Sequence, residues 1–382
     1  MSTRVLLTVG VAVVLTLPWT GTAGAAGAQP GSLECGSWVV QTSQDPGGKS
    51  VLYGVSAPST TDVWAVGQTT SGQTTDTLIE HFDGSAWSVV PSPNPVRAYN
   101  QLQAVYARTA SDAWAVGDAQ PSAVEGTLIE HWDGTAWTVT PSPNPSTLID
   151  SLTAVSATSA DHAWAVGFFI SNVNGANQTL TEHWDGTAWT VVPSPSPGSF
   201  DYLYGVTSVA SNDAWAVGST SNGNTGTPLT EHWDGTAWSI VSNPGAGKLT
   251  AVTSVSSDDV WAVGDQGLGE HDVSMAERWD GSTWQVVHTP TNRPTGPLAG
   301  VAATSHRRGW AVGSKVGAGG VTRTLIERWN GQGWAAAASP NGSDFDNQLY
   351  AVATATATTS SWAVGFSTDS SRVIHPLVET FC

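Results

Sequence analysis

The stretch Leu152–Val192, LTAVSATSADHAWAVGFFISNVNGANQTLTEHWDGTAWTVV, decides the fold. It contains four short runs of β-forming residues: LTAV, WAVG, TLTEHW and WTVV. Asp, Asn, Ser and Asp-Gly punctuate them, so each run stops before it grows into a long element. No run keeps the 3.6-residue apolar period of a helix over a useful length.

The same stretch recurs along the chain. WAVG begins at Trp64, Trp114, Trp164, Trp215, Trp261, Trp310 and Trp362, at spacings of 46 to 52 residues. An L-x-[GA]-V run precedes each copy, from Leu52 in the first to Leu349 in the last. A strand with a glutamate follows each: Glu80, Glu130, Glu182, Glu231, Glu277, Glu327 or Glu379. A unit of ~50 residues is too small for a core of its own and must share one with its neighbours. Four strands per unit at this period predict an all-β, seven-bladed β-propeller of four-stranded blades over residues 29–382.

Tryptophan supports this reading. Of 20 Trp, all but Trp19 fall on three repeat positions. Seven open the WAVG runs. Seven more are Trp38, Trp87, Trp137, Trp189, Trp238, Trp284 and Trp334. Trp132, Trp184, Trp233, Trp279 and Trp329 form the third column, with Phe82 and Phe381 in the remaining units. Rings of this size at fixed repeat positions are expected to glue neighbouring blades.

The ends predict ring closure. The last repeat stops at Phe381-Cys382, after its third strand. Cys35-Gly36-Ser37-Trp38-Val39-Val40 reads as a fourth strand without partners. Together they complete one blade and remove two exposed edges. Cys382 stands where other units carry the hairpin Asp, and Cys35 lies three residues before its Trp. These are the only two cysteines, so a Cys35–Cys382 disulfide is expected.

Residues 1–28 read as a signal peptide: Arg4, then the apolar run Val5–Trp19, then small residues with an A-x-A site ending at Ala28. The expected location is secreted and extracellular, with no membrane contact after cleavage. The chain carries 13 Lys and Arg against 31 Asp and Glu, a formal charge of −18. Such a surface is repelled by polyanions, which excludes nucleic acid as a partner.

No catalytic set stands out. The glutamate occurs in every unit, whereas a catalytic pair occupies one or two positions; its expected role is structural, accepting hydrogen bonds from backbone or indole N–H groups. The histidines after it (His81, His131, His183, His232) sit in different units and lack local metal-ligand spacing. Neither metal nor cofactor is expected. The Asp-Gly that follows is hairpin chemistry.

One polar-aromatic set gathers at the start of the first strands: Tyr53, Tyr99, Asn100, Asp150, Asp201, Tyr202, Tyr204, Asp346, Asn347 and Tyr350. Rings that cover C–H faces beside groups that fix hydroxyls suit a sugar. The alternative is that the Asn and Asp residues cap turns while tyrosines fill the channel.

With its WAVG and E-H-W-D-G elements the chain resembles a group of secreted bacterial seven-bladed propellers, and more distantly it is similar to kelch and galactose-oxidase-like propellers. It departs from the latter in lacking the Gly-Gly doublet. It lacks the crosslinked Tyr–Cys pair of a copper oxidase and the arginine cluster of a sialidase, so the resemblance transfers no catalytic residue. The expected function is a secreted, non-catalytic, lectin-like binding protein for a glycan or cell-surface polymer. An extracellular protein-interaction scaffold is the alternative, and a polysaccharide hydrolase or lyase a third.

Overall fold

Each repeat folds as an antiparallel meander. In unit 3 the WAVG strand (His162–Ile170) lies between Asp150–Ser159 and Asn177–Trp184, with Trp189–Val191 outermost. The computed structural model describes residues 36–382 except 121–123, 224–225, 268–272, 291–295 and 357. The expected signal peptide and Cys35 lie outside the described residues.

The sheets contain four or eight strands. Each eight-stranded sheet is two meanders joined by one parallel pair, Thr75 with Tyr99 or Asn177 with Phe200. Among the described residues the only helical segment is the 3-10 turn Ala318–Gly320. No helix there is long and apolar enough to cross a membrane.

Every first strand carries a register shift after its Leu, as between Leu152 and Ala154. The bulge presses the first strand against the Gly that ends WAVG. A Cβ on Gly167 would lie 1.9 Å from the Ser151 carbonyl oxygen. The tight turn after the third strand follows the expected chemistry. Asp133 Oδ1 accepts from the N–H groups of Thr135 (2.8 Å) and Ala136 (3.0 Å), and Gly134 has φ +93°.

The fourth strand is only three residues long in most units, and the Pro-rich linker after it folds back. Thr127 N–H donates to Asn144 Oδ1 at 2.8 Å, and Thr77 repeats this with Asn94. Proline and this return leave little edge for pairing with another chain.

The cores lie between successive units. Trp64, Val66 and Ile79 of unit 1 pack on Leu102, Val105, Leu128 and Trp137 of unit 2. Trp64 stands 4.9 Å from Trp132 and edge-on to Trp137 at 5.3 Å. Trp114, Trp164, Trp215 and Trp261 repeat both contacts with the units that follow them. The tryptophan columns therefore do glue neighbouring sheets.

In the last unit Trp38–Gln41 pairs with Ile374–Phe381, Trp38 opposite Phe381. Trp310 then meets Phe381 at 4.8 Å and Trp38 at 5.1 Å. Trp362 and Val378 of that unit share a core with Leu52, Val63 and Leu78 of unit 1.

The repeated glutamates are fully buried, but the hydrogen bonds expected for them are mostly missing. Glu277 accepts from Asn243, and Glu327 accepts from Ser274 Oγ at 3.4 Å. Neither carboxyl oxygen of Glu130, Glu182 or Glu379 has a partner among the described residues, and the Trp114, Trp164 and Trp362 indole N–H groups also lack one. The third strand's Leu packs in the core against the preceding sheet, as Leu78 does, and the Glu two residues on lies on the same face of the strand. Burial raises Glu130 and Glu182 from 4.5 to about 8.

Candidate ligand-binding site

The first strands of all seven repeats line one cavity of about 380 Å³. Its wall is apolar because small residues let the strands approach closely. A Cβ on Gly54 would meet Ala104 Cα at 2.8 Å, and one on Gly300 would meet Ala351 Cα at 2.8 Å. The two threonine hydroxyls of the lining are already engaged: Thr153 Oγ1 donates to Leu203 O at 2.7 Å and Thr250 Oγ1 to Leu298 O at 2.7 Å.

Tyr53, Tyr204 and Tyr350 stand in this lining. Tyr53 and Tyr350 meet at 5.2 Å, and Phe366 lies 6.1 Å beyond Tyr350. Tyr204 stacks on Tyr202 at 5.8 Å with planes 7° apart, and Tyr202 meets Phe168 at 4.9 Å. Tyr99 is half-buried and donates its hydroxyl proton to Gln101. Of the five tyrosines in the sequence-level set, Tyr53, Tyr204 and Tyr350 line the cavity, while Tyr99 and Tyr202 stand outside its lining.

The Asn and Asp members turn away into the chain's own loops. Asn100 accepts from Val96 N–H at 3.2 Å and donates to Val96 O at 2.7 Å. Asp150 accepts from Ser146 N–H at 3.0 Å, Asp201 from Gly198 N–H at 2.9 Å, and Asn347 from Ser343 N–H at 3.1 Å. All four are fully buried. Asp346 Oδ1 takes the Thr322 N–H at 2.8 Å. Each cap fixes the loop that enters a first strand, which is the capping role weighed against sugar binding above.

Other carboxyls flank the tyrosines. Asp118 follows the WAVG glycine of unit 2 and is 4% exposed. Ser151 Oγ donates to it at 3.3 Å. Burial, then the charge of Glu125, push Asp118 up to about 7. Asp150 rises to about 6, mainly by burial, with Glu125 adding to the shift. Tyr99 is pushed up to about 12 by burial, then by Asp118 and Glu125. Raised carboxyls do not by themselves mark a catalytic pair here, because the structural glutamates are shifted as far. Among the described residues no three His, Cys, Asp or Glu side chains form a group that could hold a metal ion.

A second set went unseen in the sequence. The histidines pair with the residue two places before the WAVG Trp: His81 with Asp62 at 2.7 Å, His131 with Asp112 at 2.8 Å, His232 with Asp213 at 2.9 Å. Each imidazole also lies over its own Trp, as His81 does over Trp64 at 4.2 Å. The recurring D-x-W-A-V-G was the available signal.

No family model matches the chain, and no curated protein matches it. Among solved structures it is similar to YCF48 bound to D1 peptide, with a TM-score of 0.59 and 14% identity over 92% of this chain and 97% of that one. It is also similar to YCF48 from Cyanidioschyzon merolae, with a TM-score of 0.55 and 14% identity over 90% of this chain and 98% of that one. At this identity the likeness concerns the fold alone, which is all-strand and β-propeller-like.

Proposed function

We propose that the chain is a secreted, non-catalytic binding protein: a closed seven-bladed propeller that takes an extended segment of a partner protein in the aromatic mouth of its channel. The observation that carries this reading is the division of the candidate set. Three of its rings, Tyr53, Tyr204 and Tyr350, line the cavity, while its carboxylates and carboxamides, which a sugar would need, are spent on loops. An aromatic mouth on a wall built mostly of Gly, Ala and Val, with tyrosine hydroxyls and Gln103 as its polar groups, suits the side chains of a peptide. The acidic chain and the flanking Asp118 and Glu125 favour a basic segment. The solved YCF48 with its D1 peptide gives a fold-level precedent for a polypeptide ligand.

Closure is supported by a cavity to which all seven first strands contribute, by the pairing of Trp38 with Phe381, and by the core shared by units 1 and 7. A Cys35–Cys382 disulfide completes the blade in this reading; no free cysteine stands among the described residues. Removal of residues 1–28 leaves the acidic mature chain outside the cell.

Peptide display against the purified mature chain tests the ligand class. Basic, aromatic-containing peptides are expected, with affinity reduced at least tenfold in Tyr53→Ala/Tyr350→Ala and melting unchanged. A glycan is the second reading, favoured by the near-parallel Tyr202–Tyr204 stack. Binding on a glycan array with no peptide enriched would replace the first reading by the second.

A further inference from the structure

We infer that a cavity at the seam between units 6 and 7 is an oxyanion-binding site, selective for a phosphate, sulfate or carboxylate group on a small skeleton. The inference starts from a break in the repeat. In four units an Asp two residues before the WAVG Trp pairs with the His or Arg beside the buried Glu: Asp62–His81, Asp112–His131, Asp213–His232 and Asp259–Arg278, the last at 2.6 Å. Unit 6 has Arg308 at the Asp position and Arg328 at the His position. The ion pair is replaced by two like charges.

Both arginines line one cavity of about 260 Å³, with Thr304 and Thr359 beside them and the rings of Trp310 and Phe381 completing its wall. Among the described residues neither guanidinium has an acidic partner or a hydrogen-bond acceptor, and the Thr304 and Thr359 hydroxyls have none either. Arg328 is held in place by its stack over Trp310, 5.6 Å from the ring centroid. That contact uses its π-face and leaves its N–H fork free.

The chemistry that satisfies such a pocket is specific. Two guanidiniums offer forked donors that match the paired oxygens of an oxyanion, and their mutual repulsion falls when an anion sits between them. Hydroxyl donors add to the same acceptor. The indole and phenyl rings suit the carbon skeleton that carries the charged group. The volume admits a small molecule or one terminal residue of a chain. In a protein of charge −18, two unpaired cations in one cavity run against the general trend and single out this seam. The site is separate from the tyrosine mouth and does not depend on what binds there.

Titration calorimetry of the full mature chain at low ionic strength, with inorganic phosphate, sulfate and acetate in separate arms, tests the inference. At least one anion is expected to bind one to one, and the ranking of the three distinguishes phosphate or sulfate from carboxylate ligands. Arg308→Asp rebuilds the Asp–Arg pair of unit 5, so it is expected to keep the melting temperature while weakening the anion at least tenfold. Arg307→Ala, outside the cavity, and Tyr53→Ala, at the channel mouth, are expected to leave the affinity unchanged. No binding tighter than about 1 mM by any of the three anions, or an affinity untouched by Arg308→Asp, overturns the proposal.

Discussion

Glycine at the end of WAVG answers to a contact. Gly167 has an ordinary extended backbone, yet a Cβ there would meet the Ser151 carbonyl at 1.9 Å because the bulge after Leu152 brings the first strand close. Gly167→Ala is therefore expected to destabilise by about 1–3 kcal/mol, as over-packing does elsewhere, measured by urea unfolding. A stability within error of the parent chain would mean that the bulge yields. This glycine's recurrence was visible in the sequence, but its cause was not, since a bulge leaves no signature of its own. The Asx residues show the same limit from the other side. Asn100 and Asp150 sit beside tyrosines in the chain, which reads as a binding set, but their oxygens are turned four residues back to Val96 and Ser146. A side chain's choice between ligand and loop is a matter of direction, and sequence order carries none.

At the scale of elements, the strands were legible because their lengths and turn residues repeat seven times, and an accidental pattern does not. The partners of the third-strand histidines were not, since Asp62 and His81 lie 19 residues apart and meet only through the register of two strands. The arginine substitutions of unit 6 acquire meaning only against those pairs. The four-residue strand Trp38–Gln41 is short, like the other fourth strands, and it comes from the opposite end of the described chain to pair in the last sheet. Its hold comes from Trp38, which is 5% exposed and packs on both Trp310 and Phe381. Trp38→Ala is expected to cost about 3–5 kcal/mol, and reduction of the proposed disulfide to add to the loss. Unfolding in guanidinium, with and without reductant, measures both. If neither change lowers the midpoint, the N-terminal strand does not close the ring.

The whole molecule concentrates seven carboxyls between its sheets, each at zero exposure. Burial raises Glu80, Glu130, Glu182 and Glu231 from 4.5 to about 8, Glu277 and Glu327 to about 7, and Glu379 to about 9. A carboxyl whose value is higher in the folded chain binds more protons there. Its contribution is fully present below the unfolded value of 4.5 and is lost as pH rises through the folded value. The exposed hairpin aspartates act in the opposite sense. Hydrogen bonds from Ser or Thr hydroxyls and then from backbone N–H groups lower Asp83, Asp133, Asp185, Asp234 and Asp280 from 3.8 to about 2. Their contribution is present above 3.8 and is lost as pH falls toward 2. The two sets leave a maximum between about pH 4 and 5, with the melting temperature declining from there to about pH 9. Each buried carboxyl contributes up to ~1.4 kcal/mol per pH unit to that decline while it titrates. Glu130→Gln keeps the shape and removes one proton-binding site. It should melt near the parent at pH 4.5, melt higher at pH 9, and show a shallower slope between. Calorimetric scans across this range decide the matter. A parent curve that climbs from pH 5 to 8 would mean that the glutamates ionise in place with partners gained on ionisation, and the upward shift assigned to their burial would then be wrong.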